Sequence, residues 1–327
     1  MNRRSVTAGL LGALALASAV VPPQAAAAAC QYVRQDLPLP AGVTTAVTKG
    51  SSTNNSRIVG EYWQNAGRGA IWTNSALRVM APPASTFDSV RPNSVNNTGV
   101  VGGTQEIFRG GKYTHRAFRY ENSAYQLLAV EPGEQSAGYA INDGGDVLGI
   151  VWQEATPADR TVVMWPRTGP RKSFGLGEAV GIDAQRRILM SAPSPGQAGW
   201  IVDGNTGLKT TLPGARTPMV LDNDRVLHFE FGPANTRIVE LNLAGTRLAT
   251  YEGGVNLFGR NNSGTVFGTY GIPQPSLWRP SGRSDAVLDK TFDSRYYADV
   301  TDAATLIGTY READDTTRPA RWVWTCS

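Results

Sequence analysis

Ala140-Ile141-Asn142-Asp143-Gly144-Gly145-Asp146-Val147-Leu148-Gly149 reads as the end of one strand, a tight turn and the start of the next. Asn-Asp-Gly-Gly supplies the φ > 0 positions that a short hairpin needs. Outward from it, Asp146 to Gln153 forms a second strand and Pro157-Ala158-Asp159 a loop. Thr161 to Trp165, bounded by Pro166, is a third strand, and Arg171 to Leu176 a fourth. The unit recurs along the chain. Its apolar pairs are Ile58-Val59, Val100-Val101, Val147-Leu148, Ile188-Leu189, Val226-Leu227, Val266-Phe267 and Leu306-Ile307. From the residue after each pair the steps are 42, 47, 41, 38, 40 and 40. Short strands repeated at a period near forty residues predict an all-β fold, a seven-bladed β-propeller of four-stranded antiparallel blades.

Related turns stand at Asn54-Asn55-Ser56, Asn96-Asn97-Thr98-Gly99, Asp222-Asn223-Asp224 and Asn261-Asn262-Ser263-Gly264. The sequons at Asn54, Asn96 and Asn261 coincide with this turn pattern and need no glycan to explain them. The third strand carries a second mark: Trp72, Tyr120, Trp165, Val202, Leu241, Trp278 and Trp324, each with a partner residue two positions earlier. Period-two spacing puts both residues on one sheet face. Large rings at one register of most repeats are read as core between blades rather than as sugar platforms.

The last copy ends after its third strand, Arg321 to Thr325, whereas Gln31 to Leu37 precedes the first copy's own inner strand around Val43 to Val47. The N-terminal strand is therefore expected to complete the last blade, closing the ring and hiding two sheet edges. The chain's two cysteines, Cys30 and Cys326, would then be neighbours, and in an oxidising compartment they should pair.

Residues 1–29 read as a signal peptide: basic Arg3 and Arg4, an apolar run from Leu10 to Val21, and a small-residue cleavage zone at Ala25 to Ala29. Arg3-Arg4 with Val6 also fits a twin-arginine signal. A lipidated Cys30 is the weaker reading, because Pro22-Pro23-Gln24 and the alanine run make a poor attachment signal. Residues 30–327 form a single propeller domain, expected to be secreted and monomeric. The whole-chain pI near 9.1 overstates its charge. Without the leader, 29 basic side chains face 27 acidic ones, too even a balance to argue for nucleic acid or an anionic membrane. No later segment is apolar and long enough to span a bilayer.

The repeats resemble the secreted bacterial HAF extracellular repeat family. Asn97-Thr98-Gly99-Val100-Val101-Gly102 followed by Arg116-Ala117-Phe118-Arg119-Tyr120 matches its unit best. Copies at Asn142–Trp165 and Asn261–Trp278 match in part, and those near Ile188 and Val226 have drifted. The resemblance implies a propeller in an extracellular setting and carries no catalytic residues to transfer.

No cofactor, metal or catalytic motif is expected. His115 and His228 have no H-x-x-x-H or Cys/His partners at ligand spacing. Asn142–Asp146 and Asp222-Asn223-Asp224 lack the regular oxygens of a calcium loop. Most aspartates (Asp143, Asp146, Asp183, Asp222, Asp224 and Asp302) lie in the recurring turn, where they serve local hydrogen bonding. Glu131, Glu134, Glu154, Asp293 and Glu312 lie outside it, without motif context.

Two stretches read as long loops on one face. The first, Gln105 to His115, holds Phe108, Arg109, Lys112, Tyr113 and His115; the second holds Lys290, Phe292, Asp293, Arg295, Tyr296 and Tyr297. Aromatic and arginine-bearing loops on a rigid ring suit recognition. Tyr113, His115, Arg295 and Tyr296 are the expected ligand-binding residues, for an extracellular protein or glycan. The alternative is an extracellular glycoside hydrolase or lyase with paired carboxylates at the channel mouth.

Overall fold

A computed structural model describes residues 30–326 apart from 53, 55, 82–87, 193–196, 214, 216–217, 223, 232–235, 271–273, 280, 287, 289–290 and 297. The expectations for the leader and for Asn55, Asn223, Lys290, Tyr297 and Ser327 lie outside the described residues. Seven antiparallel sheets form a ring. Blade 1 spans residues 46–79, blade 2 89–127, blade 3 134–176, blade 4 178–211, blade 5 218–252 and blade 6 254–285. Blade 7 combines residues 291–326 with 30–36. Its innermost strand is split into Thr291–Phe292 and Asp299–Val300, both paired with Leu306–Arg311.

The ring closes as the repeat count requires. Cys30–Asp36 pairs along its whole length with Thr317–Cys326, from Cys30 opposite Cys326 to Asp36 opposite Ala320. The two sulfurs are bonded across a sequence separation of 296 residues. The first copy's inner strand is Ala46–Ser51, starting after Val43, because residues 37–45 serve instead as the crossing between blades.

The apolar pair has a physical reason. Adjacent residues of a strand point to opposite faces, and a propeller blade is covered on both. Ile58 joins the core between blades 7 and 1, whereas Val59 joins the core between blades 1 and 2. Val147 and Leu148 divide in the same way, as do Ile188 and Leu189. The described residues accordingly form seven apolar clusters, one at each interface between blades.

Strand register corrects two sequence assignments. Ile58 faces Trp72 and Val147 faces Trp165; in blade 2 it is Val101 that faces Tyr120. The repeat glycine of that blade is therefore Gly103, one residue later than expected. In blade 7 Leu306 faces Trp322. Trp322 is fully buried, whereas Trp324 is 45% exposed and packs edge-on against Tyr32. Two expected loops are also strand. Pro157–Asp159 belongs to the strand Thr156–Trp165, and Gln105 to His115 is the tip of a hairpin.

The turn asparagines stitch neighbouring blades together. Asn96 Oδ1 accepts from the Thr98 and Val100 amides, fixing its own turn, while its Nδ2 donates to the Asn142 carbonyl of the next blade. Asn142 passes the contact on to the Asp183 carbonyl, and Asn261 does the same to Thr301. Asn97 and Asn262 each donate a backbone and a side-chain hydrogen to Asp143 and Asp302 of the following blade. Asn96 and Asn261 are buried, so these sequons present no accessible amide.

His228 occupies the repeat-glycine position of blade 5, opposite Pro218 as Met190 is opposite Ala179 in blade 4. The ring is fully buried; Nδ1 donates to the Phe229 carbonyl and Nε2 has no partner among the described residues. Burial lowers its pKa below the ordinary histidine value. The unfolded chain takes up a proton near pH 6.5, and the native ring resists it. Its contribution is thus fully present above that pH and is lost as pH falls towards the lower folded pKa, by at most about 1.4 kcal/mol per pH unit. His228→Met, copying blade 4, should flatten that acid-side decline in thermal melts between pH 7.5 and 5 (about two and a half units). An unchanged slope would place the acid sensitivity elsewhere.

Candidate functional site

Blade 2 carries an extended hairpin. Val101–Arg109 and Lys112–Glu121 pair to their ends around Gly110-Gly111, whose φ angles of 58° and 79° are those of a tight hairpin turn. Asp88, almost wholly buried, ties down the hairpin: its carboxylate accepts from the Phe108 amide at 3.2 Å, from Arg109 Nη1 at 2.8 Å and from Gln105 Nε2 at 3.2 Å. Phe108 and Tyr113 face each other with ring centroids 4.8 Å apart, and Tyr113 is 58% exposed.

His115 sits lower on the same hairpin. Gln135 Oε1 of blade 3 accepts from both the His115 amide (3.1 Å) and Nδ1 (2.9 Å). An oxygen that accepts twice fixes the tautomer: Nδ1 carries the hydrogen, and in the neutral ring Nε2 is an acceptor. Nε2 lies 3.5 Å from Glu106 Oε1, a contact that becomes favourable when the ring is protonated. The Trp152 ring stands 5.8 Å from the imidazole.

Around His115, blades 1 and 2 add charges. Arg91 pairs with Glu106 at 2.9 Å, and Lys49 with buried Glu61 at 3.3 Å. Burial pushes the Glu61 carboxyl above its usual range; Lys49 and Arg91 pull it down, and Glu106 raises it further. Glu61, Glu106, Arg91 and Lys49 were not singled out from sequence. The available signal was a charge inside an apolar repeat strand, as in Ile58-Val59-Gly60-Glu61-Tyr62.

In blade 7 the residues between the two inner-strand segments form a separate cluster. Buried Asp293 receives Arg295 through Nε (2.8 Å) and Nη2 (2.7 Å), and Arg311 at 3.2 Å. The Arg295 guanidinium lies 5.6 Å from the Tyr296 ring. The expected second loop is partly strand, since Thr291–Phe292 pairs with Tyr310 and Arg311. The four expected binding residues thus form two pairs, Tyr113 with His115 on blade 2 and Arg295 with Tyr296 on blade 7. No described hydrogen bond, ion pair or ring contact joins one pair to the other.

No family model matches the chain, and no curated protein matches it in sequence. Solved structures do match. A puromycin-hydrolysing peptidase of Mycobacterium tuberculosis aligns with a TM-score of 0.58 at 10% identity, over 89% of this chain and 54% of that one. U3-55K aligns with a TM-score of 0.57 at 10% identity, over 89% and 98%. TolB from Acinetobacter baumannii aligns with a TM-score of 0.44 at 10% identity, over 68% and 63%. The chain spans about half the length of the peptidase and less than two thirds of that TolB. The likenesses to the peptidase and to U3-55K show the fold alone.

Several carboxylates outside these two clusters are engaged in turns and ion pairs. Asp146 accepts from Arg186 at 2.7 Å and from the Arg167 amide at 2.9 Å, and its pKa is lowered although burial opposes the shift. Asp143 and Asp302 cap neighbouring turns, and Glu134 pairs with Arg171. Among the described residues no group of three His, Cys, Asp or Glu side chains is placed to share a metal ion.

Proposed function

We propose that this chain is an extracellular, non-enzymatic recognition propeller of the HAF-repeat kind, exported by its first 29 residues, that binds a protein or glycan through Tyr113, His115, Arg295 and Tyr296. The observation that carries the reading is the blade 2 hairpin: an exposed aromatic tip on a base fixed by buried Asp88. Rigid aromatic anchors lose little conformational entropy on binding. The terminal disulfide supports an oxidising compartment.

The test is a glycan array and a panel of purified surface proteins, probed with the wild type and with Tyr113→Ala/Arg295→Ala/Tyr296→Ala. The triple variant should lose at least about tenfold in affinity, the share expected of anchor residues, with an unchanged melting temperature. Unchanged binding would remove this face. A second reading rests on Glu61 and Glu106: a buried carboxyl raised in pKa near an arginine-paired one suits acid–base hydrolysis of a polysaccharide. New reducing ends from a polysaccharide panel, abolished by Glu61→Gln, would favour that reading over recognition.

A further inference from the structure

The segments that cross from one blade to the next differ in length, and two of the longer ones share a task. Residues 37–45 lead into blade 1, and Leu37 and Leu39 both pack on the core of that interface. Between them, the Pro38 carbonyl accepts the Trp72 indole hydrogen at 2.8 Å. Residues 128–133 lead into blade 3 and repeat the arrangement: Leu128 and Val130 pack inward while the Ala129 carbonyl accepts from Trp165 Nε1 at 2.7 Å. An extended apolar-x-apolar segment thus seals the gap beside the tryptophan and satisfies its indole.

Blade 6 has the tryptophan without the segment. Trp278 faces Val266 in the same register, yet only Gly253 separates Glu252 of blade 5 from Gly254 of blade 6. The consequences are visible. Trp278 is 4% exposed and its Nε1 has no hydrogen-bond partner among the described residues. A groove of 890 Å³ opens along this interface, lined by Trp278 and by strand residues of blades 5 and 6. A buried unpaired N–H is costly, so it marks a position where an acceptor is missing. The other one-residue crossing, Gly177, leads into blade 4, where the matching position is Val202 and no indole is stranded.

Charge narrows the occupant. Arg225, Arg260, Arg279 and Arg283 line the groove against Glu240 and Glu252. Glu240 is already held by Arg225 at 3.2 Å, Arg260 at 3.3 Å and the Tyr251 hydroxyl at 2.7 Å. Exposed Arg283 lies 3.7 Å over the Tyr270 ring, at the groove's edge. Arg260 also pairs with Asp222 at 2.9 Å and Arg283 with Asp285 at 2.9 Å, so among the described residues Arg279 is the lining arginine without a carboxylate partner, and it leaves the groove one positive charge in excess.

We propose that this groove is a docking site for an extended apolar-x-apolar peptide of a partner protein, flanked by an acidic residue, whose middle carbonyl accepts from Trp278 Nε1. It occupies between blades 5 and 6 the place that the chain's own crossings occupy on the way into blades 1 and 3. The indole nitrogen is shielded from solvent, so docking includes a rearrangement of the groove floor. This surface is separate from the blade 2 hairpin and the blade 7 cluster.

The chain supplies its own probe. A fluorescein-labelled peptide of residues 126–134, Gln-Leu-Leu-Ala-Val-Glu-Pro-Gly-Glu, carries the apolar-x-apolar segment followed by glutamate. Fluorescence anisotropy with the oxidised protein should show saturable binding. Trp278→Phe, which removes the donor, and Arg283→Glu, at the rim, should each weaken it by about fivefold or more. Trp165→Phe should lower the melting temperature through its lost hydrogen bond but leave peptide affinity unchanged. No saturable binding up to about 1 mM peptide overturns the proposal. So does equal binding of a peptide with serine in place of Leu128 and Val130, or full affinity in both groove variants. A dimer in sedimentation that Arg283→Glu dissolves would assign the groove to a second copy instead, and would also overturn it.

Discussion

The Cys30→Ser/Cys326→Ser protein should still fold as a propeller but lose about 5 kcal/mol of stability. Its melting temperature should fall by about 10 °C. The bond spans 296 residues, so it removes nearly all the end-to-end freedom of the unfolded chain. The native ring does not depend on it for shape, because Cys30–Asp36 is already paired with Thr317–Cys326 through seven register positions. That strand also brings Tyr32 into the blade 7 core and places the Arg34 guanidinium 4.7 Å over the Tyr310 ring. Removing residues 30–36 as well should be far worse: Thr317–Cys326 becomes an exposed edge, and the protein should aggregate. Thermal melts and size-exclusion profiles of the two variants separate these contributions. A serine variant that melts within about 2 °C of the wild type would mean the bond constrains nothing that strand pairing does not.

This closure was legible in the sequence because three features meet at one place: a last copy short of a strand, a first copy with one to spare, and one cysteine beside each. The turn was legible too, since Asn142-Asp143-Gly144-Gly145 states its own geometry. What escaped was register where the sequence repeats itself. Val100-Val101-Gly102-Gly103 contains an apolar pair and glycine in two overlapping frames. Trp322 and Trp324 are both tryptophans two residues apart, so periodicity favours neither; only pairing with Leu306 decides. The Gln105–His115 hairpin lacks polar-apolar alternation, and its strands are held by Asp88 from the preceding crossing, a contact that local reading does not contain. The candidate site was half visible for a related reason. Tyr113 and His115 stand out as aromatics in a polar stretch, but Glu61, Glu106, Arg91 and Gln135 come from three blades and meet only after the ring has formed. The orphaned Trp278 looks like its siblings in sequence. It differs only in the crossing that fails to reach it.

The two frames of blade 2 make the sharpest mutational test of the fold. Gly103→Ala should cost about 3 kcal/mol or more, whereas Gly102→Ala, one residue away, should be neutral or slightly stabilising. The inner strand bulges between Pro92 and Ser94, and the Arg91 carbonyl is thereby laid over the Gly103 α-carbon. A β-carbon there would lie 2.3 Å from that oxygen and 2.7 Å from the Phe118 ring, closer than atoms can approach. The same bulge recurs in other blades, where a β-carbon would lie 2.2 Å from the Val47 oxygen at Gly60 and 1.9 Å from the Ala137 oxygen at Gly149. The glycine of the repeat is therefore the partner of a bulge in the neighbouring strand, and the obstacle is backbone, which cannot rotate away. At Gly102 the nearest atoms are the Ile141 and Val147 side chains at 3.4 and 3.6 Å, ordinary contact distances that a methyl group would fill. Denaturant melts of both variants decide the register: equal losses, or a greater loss at Gly102, would restore Val100-Val101-Gly102 as the repeat frame and move every side chain of that strand to the opposite face.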